Sequence, residues 1–120
     1  MAALYTAFDV LLTTSYGEGF GVPTMEAQAC GTRVIGSNWA ATKDLVSEDS
    51  YLVDGQPFWD EAQASWFQIP SMAGLVKALE AAAEEKTDAK SEKAIQFASD
   101  FDVETVWRRD WMPFLKGYFS

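Results

Sequence analysis

"DVLLTTSYGEGFGVPTMEAQACGTRVIGS" occupies residues 9–37. Its first seven residues are a short run rich in apolar and β-branched side chains, the pattern of a short buried strand. Gly17, Gly19 and Gly21 then fall within five residues, so the backbone turns sharply there and a ligand can approach it closely. Pro23 suits the first turn of a helix running to about Cys30, and Gly31 suits the left-handed residue past its end. "TRVIGS" (32–37) reads as a second strand. A strand, a glycine loop, a helix and a second strand with short links imply a parallel sheet covered by helices.

The neighbouring segments extend that pattern. Residues 1–7 read as the tail of a helix, residues 38–49 as a loop with a short helix, and "YLVDG" (51–55) as a third strand. Residues 56–71 read as irregular and aromatic, with "WFQIP" as a short edge strand. Ser71 is placed to cap a helix reaching about Glu85, with Met72, Leu75, Val76 and Leu79 at helical spacing. A charged break, "KTDAKSEK", precedes a helix over residues 92–99. Asp102 is placed to cap a last helix whose Val103, Val106, Trp107, Trp111, Phe114 and Leu115 share one broad face. The expectation is a single α/β domain over residues 1–120, a partial Rossmann-like three-layer fold with a parallel sheet of about three to four strands.

Composition removes several functions. The chain has 120 residues, 48% hydrophobic and 22% charged, which fits one globular domain with one core. Its formal charge is −9, so it repels nucleic-acid phosphates and anionic membrane surfaces. There is no apolar run of the roughly 20 residues that a membrane span takes. The opening "MAALYTAFDV" lacks the basic start of a signal peptide. The lone Cys30 has no internal disulfide partner, reads as a buried structural thiol, and fits a reducing, cytoplasmic compartment. With no histidine the commonest general base is absent, and one cysteine makes no zinc site.

The glycine loop sits at the carboxyl end of a parallel strand, where open α/β sheets bind ligands. The helix after it opens with unpaired N–H groups and a positive dipole end, a seat for phosphate. Glu18 in the loop and Glu26 about one turn into the helix are poor phosphate ligands but good acceptors for vicinal hydroxyls. Phosphate and hydroxyls together describe a nucleotide-sugar. Other glycine loops fit less well. "GEGFG" is not the dinucleotide pattern, no Gly-Lys-Ser/Thr follows for a P-loop, and no kinase catalytic loop follows.

These residues carry a resemblance. "EGFGVPTME" resembles the E-x7-E motif of retaining glycosyltransferases of the GT-B fold, the large family 4 group. "LYTAFDVLLTTSYGEGFGVPTMEAQACGTRVIGSNWAATKDLV" follows that group's pattern almost throughout, and "YLVDG", "MAGLVKALEAAAEE" and "FASDFDVETVWRRDWMPFLKGY" are similar to its end. The resemblance implies the C-terminal, donor-binding portion of such an enzyme. It gives Glu18 the donor-sugar hydroxyls and the catalytic position, and Gly19, Phe20 and Gly21 the backbone amides for sugar and phosphate. Val22 and Pro23 start the helix that faces the diphosphate, and Glu26 takes the ribose hydroxyls. It implies no metal in the site and no cofactor beyond the donor.

The family's acceptor domain, its opening donor-domain strands and the Arg and Lys that neutralise the diphosphate have no counterpart here, and Arg33 and Lys43 are not at matching positions. The expectation is therefore a donor-binding portion inactive alone, either a split product or a piece of a longer protein. The alternative is a binding or assembly module that kept the fold and lost catalysis. The strand at residues 9–14 loses a neighbour and becomes an edge, which predicts self-association or a companion chain. Ser15 and Thr24 read as residues that cap or solvate the loop. Trp59, Trp66, Trp107 and Trp111 read as core packing or domain contacts.

Overall fold

A computed structural model describes residues 1–86 and 88–119; Thr87, in the charged break, and Ser120 lie outside the described residues. Helix α1 (Ala2–Ala7) leads into β1 (Val10–Leu12), α2 (Val22–Ala29) and β2 (Arg33–Ser37). A 3-10 turn (Ala40–Asp44) precedes β3 (Tyr51–Val53). The three strands form a parallel sheet in the order β1-β2-β3, with Leu11 beside Val34 and Ile35 beside Tyr51. The α/β architecture and the parallel sheet expected from residues 9–55 are therefore present.

Side-chain alternation along β2 distributes the core over both sheet faces. Val34 and Ile35 are both fully buried. Ile35 joins Val53, Leu75, Ala78 and Ala82 under α3 (Met72–Glu84), with Val10 and Tyr51 packed at the margin. α2 covers the opposite face and packs on α4 (Glu92–Ser99), and Ala27 of α2 and Ala94 and Ala98 of α4 are buried. Ser71 caps α3 by accepting from the Gly74 N–H at 3.2 Å, as expected from its position.

Residues 55–70 are ordered as an antiparallel hairpin, which corrects the irregular reading. β4 (Gly55–Asp60) pairs with β5 (Ser65–Pro70), placing Phe58 opposite Phe67 and Trp59 opposite Trp66. Cross-strand aromatic pairs hold this two-stranded unit: the Phe58 and Phe67 rings lie 5.8 Å apart and the two indoles 5.6 Å apart.

The C-terminal helix is interrupted. Asp102 accepts from the Glu104 and Thr105 N–H groups and starts α5 (Val103–Val106), as expected. The chain then passes through a π-type turn (Trp107–Trp111) into α6 (Met112–Phe119). Pro113 removes the N–H that a regular helix would send four residues back, to Arg109. The broad apolar face of this helix is open: Trp107, Trp111 and Phe114 are all exposed, as are Trp59 and Trp66 on the hairpin. None of the four tryptophans is a core residue. Cys30 is half-buried, so the buried-thiol reading is corrected as well.

Candidate functional site

The loop between β1 and α2 stands at the carboxyl end of the sheet, and each of its glycines has a different task. Gly21 caps α2 with φ +77°, the left-handed region that favours glycine. Gly17 is needed for space: a Cβ there would lie 2.8 Å from the Phe67 ring. Gly19 faces open volume, with nothing within 4 Å of where its Cβ would be. The sharp-turn argument thus holds for Gly21 alone, and close approach by a ligand is free at Gly19.

Backbone donors line this loop. Among the described residues the N–H groups of Gly19, Phe20, Gly21 and Val22 donate to no protein acceptor. Gly21 supplies no side-chain cap, and Pro23 adds no N–H to the first turn of α2. Such a run of free amides at a helix start favours an anion. Phe20 is 43% exposed, and its ring rests edge-on against Phe101, 5.9 Å away. Phe101 in turn packs on Phe97 of α4.

Both candidate carboxylates are oriented by neutral hydroxyls. Glu18 is half-buried, and its Oε1 accepts from the Ser15 Oγ at 2.6 Å. Ser15 is itself fixed, because its carbonyl accepts from the Ser37 hydroxyl at 2.8 Å. The Glu18 carbonyl accepts from the Ala41 N–H at 3.4 Å. Ala40, beside it, has φ 49°, a left-handed conformation that is strained for alanine. Glu26 is exposed on α2, and its Oε2 accepts from the Tyr5 hydroxyl at 3.1 Å. Tyr5 is 5% exposed. Burial, and then the Glu26 carboxylate on its hydroxyl, push the Tyr5 phenol above its ordinary range. Ser15 and Tyr5 are the partners that sequence reading missed. A serine three residues before an acid was a visible signal, whereas the Tyr5–Glu26 pair spans 21 residues and depends on helix docking.

The hairpin closes one side of the loop. The Gln68 N–H donates to the Tyr16 carbonyl at 3.0 Å, and the Tyr16 and Phe58 rings meet edge-to-face at 5.6 Å. The Trp39 indole donates to the Trp66 carbonyl at 3.3 Å, tying the segment after β2 to the same hairpin.

A cleft of about 450 Å³ opens at the other end of the sheet, lined in part by Asp9, Arg33, Asp49, Glu85, Lys86 and Lys90. Part of its charge is paired internally. Arg33 pairs with Glu85 at 3.0 Å, and Lys86 with Asp9 at 3.2 Å. Lys90 donates to the Thr6 and Phe8 carbonyls. This ion-paired seam joins α3 and the segment before α4 to the start of the sheet. Arg33 is committed there, away from the glycine loop.

Comparison with known proteins matches these features. Residues 1–64 match the family described as "Glycosyl transferases group 1". The D-inositol 3-phosphate glycosyltransferase of Rhodococcus opacus is 42% identical over 66 residues, covering 53% of this chain and 15% of that protein. The protein of the same name from Mycobacterium avium is 32% identical over 91 residues, covering 72% of this chain and 22% of that protein. The chain therefore spans less than a quarter of the length of these relatives. Sucrose-phosphate synthase from Thermosynechococcus elongatus superposes with a TM-score of 0.69 over 96% of this chain and 27% of its own, at 23% identity. The fold is thus similar to the GT-B fold of that synthase. No helix among the described residues is long and apolar enough to cross a membrane. With more than half of its residues matched and the glycine loop inside the matched span, the chain belongs to the group 1 glycosyl transferase family.

Proposed function

We propose that this chain is the donor-binding portion of a retaining, family 4-type glycosyltransferase and that it binds a nucleotide-diphosphate sugar at the loop from Glu18 to Glu26. The observation that carries the reading is the combination of free amides at Gly19–Val22 with two hydroxyl-oriented carboxylates, Glu18 and Glu26. Amides and a helix start receive a diphosphate; carboxylates receive sugar and ribose hydroxyls. In this reading Glu18 is the catalytic-position acid facing the donor sugar, with Gly19, Phe20, Gly21 and Val22 lining the phosphate side and Glu26 holding ribose. Residues 1–120 act as one domain, without a metal, in the cytoplasm. The charge on a leaving diphosphate needs cationic stabilisation. Arg33 is held in the far seam, so transfer requires groups from outside these residues, and the chain alone is inactive.

A backbone-amide NMR titration with UDP- and GDP-sugars tests the reading. Shifts at Gly19–Glu26 that disappear in Glu26→Ala support it, and unshifted loop amides at high millimolar donor refute it.

One observation favours a second reading, an assembly module without catalysis. Among the described residues β1 pairs with β2 alone, which leaves its other side a free edge, and Leu12 on it is 45% exposed. That edge would join a second copy or a companion chain.

A further inference from the structure

We infer that Tyr5 is a positioning residue for the nucleotide site: its buried hydroxyl sets the Glu26 carboxylate to receive a ribose diol. The inference rests on the donor-binding reading of Glu26 given above and adds to it a residue outside the glycine loop.

Tyr5 is the one buried side chain of α1. Its place is fixed twice. The Thr32 hydroxyl donates to the Tyr5 carbonyl at 2.8 Å, and the ring stands edge-on to Phe8 at 6.1 Å. Thr32 is 1% exposed, so this anchor lies in the interior, between α2 and β2. From that anchor the phenol reaches Glu26 Oε2 at 3.1 Å. A buried tyrosine hydroxyl needs a partner, and here the partner is an exposed side chain on a neighbouring helix.

The consequence is specific to a diol. An exposed glutamate samples several rotamers and loses that freedom when it binds. The tyrosine removes part of the freedom beforehand, so binding immobilises less. Tyr5 donates its only O–H proton, so the carboxylate remains an acceptor with Oε1 and the remaining lone pairs open. Such a group takes hydroxyl donors and repels phosphate. Because Tyr5 is buried, it shapes the site without touching the ligand.

The test uses UDP and GDP as probes, each beside its 2′,3′-dideoxy form, on the whole chain and on Tyr5→Phe. Phenylalanine keeps the ring and removes the hydroxyl. Unfolding midpoints and far-UV circular dichroism establish that the variant is folded. The expected result is a loss of about three- to tenfold in affinity for UDP or GDP. No change is expected for the dideoxy forms, which present nothing to Glu26. A merely structural tyrosine would weaken both forms equally or neither, and either pattern overturns the inference. If wild-type protein binds both forms with equal affinity, the ribose role of Glu26 fails and the inference fails with it. Should Tyr5→Phe not fold, the wild-type Tyr5 Cζ resonance replaces the variant. It is expected to shift with UDP and not with dideoxy-UDP, and an unmoved resonance overturns the proposal.

Discussion

Ser15 Oγ donates to Glu18 Oε1 across 2.6 Å, and the carbonyl of the same serine is held by the hydroxyl of Ser37 on β2. The sheet thereby reaches the loop carboxylate through two short bonds. Ser15→Ala releases Glu18 and removes one half-exposed, charge-assisted bond, at a stability cost of about 0.5–1.5 kcal/mol. The loop amides keep their donor-induced shifts, at several-fold higher donor concentration. Urea unfolding and the NMR titration read the two effects separately.

The glycines differ sharply in what they tolerate. At Gly55 an added Cβ would fall 2.0 Å from the Ile69 carbonyl oxygen and 2.8 Å from Pro70 Cα, both backbone atoms that have nowhere to move. Gly55→Ala should cost about 2 kcal/mol or more and disorder the start of the hairpin. Gly19→Ala meets open space, so its unfolding free energy should stay within about 0.5 kcal/mol of wild type. Its effect should appear in donor binding instead, where the methyl group meets the ligand.

Ala64 adopts φ 47° in the turn between β4 and β5. That conformation is unfavourable for alanine by about 1 kcal/mol and open to glycine. Ala64→Gly should raise stability by about 0.5–1 kcal/mol, visible as a higher denaturant midpoint with an unchanged slope. A lower midpoint would mean that the turn gains more from alanine's stiffer unfolded chain than it loses to strain.

Acid should loosen the seat of α4 through Asp49. Partial burial raises the pKa of its carboxyl, but that is outweighed by bonds from Ser91 and Ser47, a backbone bond and the nearby Arg33 charge, so the net shift is downward. A depressed folded-state pKa means stability that is complete above the unfolded value of 3.8 and lost as pH falls through the lower folded value. Stability measured below about pH 4 should therefore fall less steeply in Asp49→Asn than in wild type. Identical acid limbs would remove Asp49 as the source.

The free side of β1 should govern self-association. Leu12→Lys places a charge on the edge at a position that is already 45% exposed, beside Ile35 of β2. Light scattering is expected to show a mass that rises with concentration for wild type and stays monomeric for the variant. A wild-type monomer at all concentrations rejects the edge as an interface.

The local elements were legible because their causes are local. Apolar β-branched runs specify β1 and β2, Gly21 and Pro23 start α2, Gly31 with φ +76° ends it, and Ser71 and Asp102 cap helices by their own side chains. The hairpin was not legible for an equally local reason. Its turn, "EAQA", has no Asn-Gly or Asp-Gly signal, and alanine rather than glycine takes the left-handed place. The exposure of Trp59 and Trp66 was illegible too, since an aromatic at strand spacing reads as core whether or not anything covers it.

The sequence by itself determined the order of elements from α1 to β3, the parallel α/β class, the glycine loop and the two glutamates that flank it. Chain neighbours decide those features through φ preferences, capping and alternation. Only the tertiary structure decided that Ser15 orients Glu18, that Tyr5 reaches Glu26, that Arg33 serves a far seam and that the hairpin leans on Tyr16. Those relations join residues from separate elements. They exist because packing α1 on α2 and the hairpin on the loop brings these particular hydroxyls, amides and charges within reach of a partner.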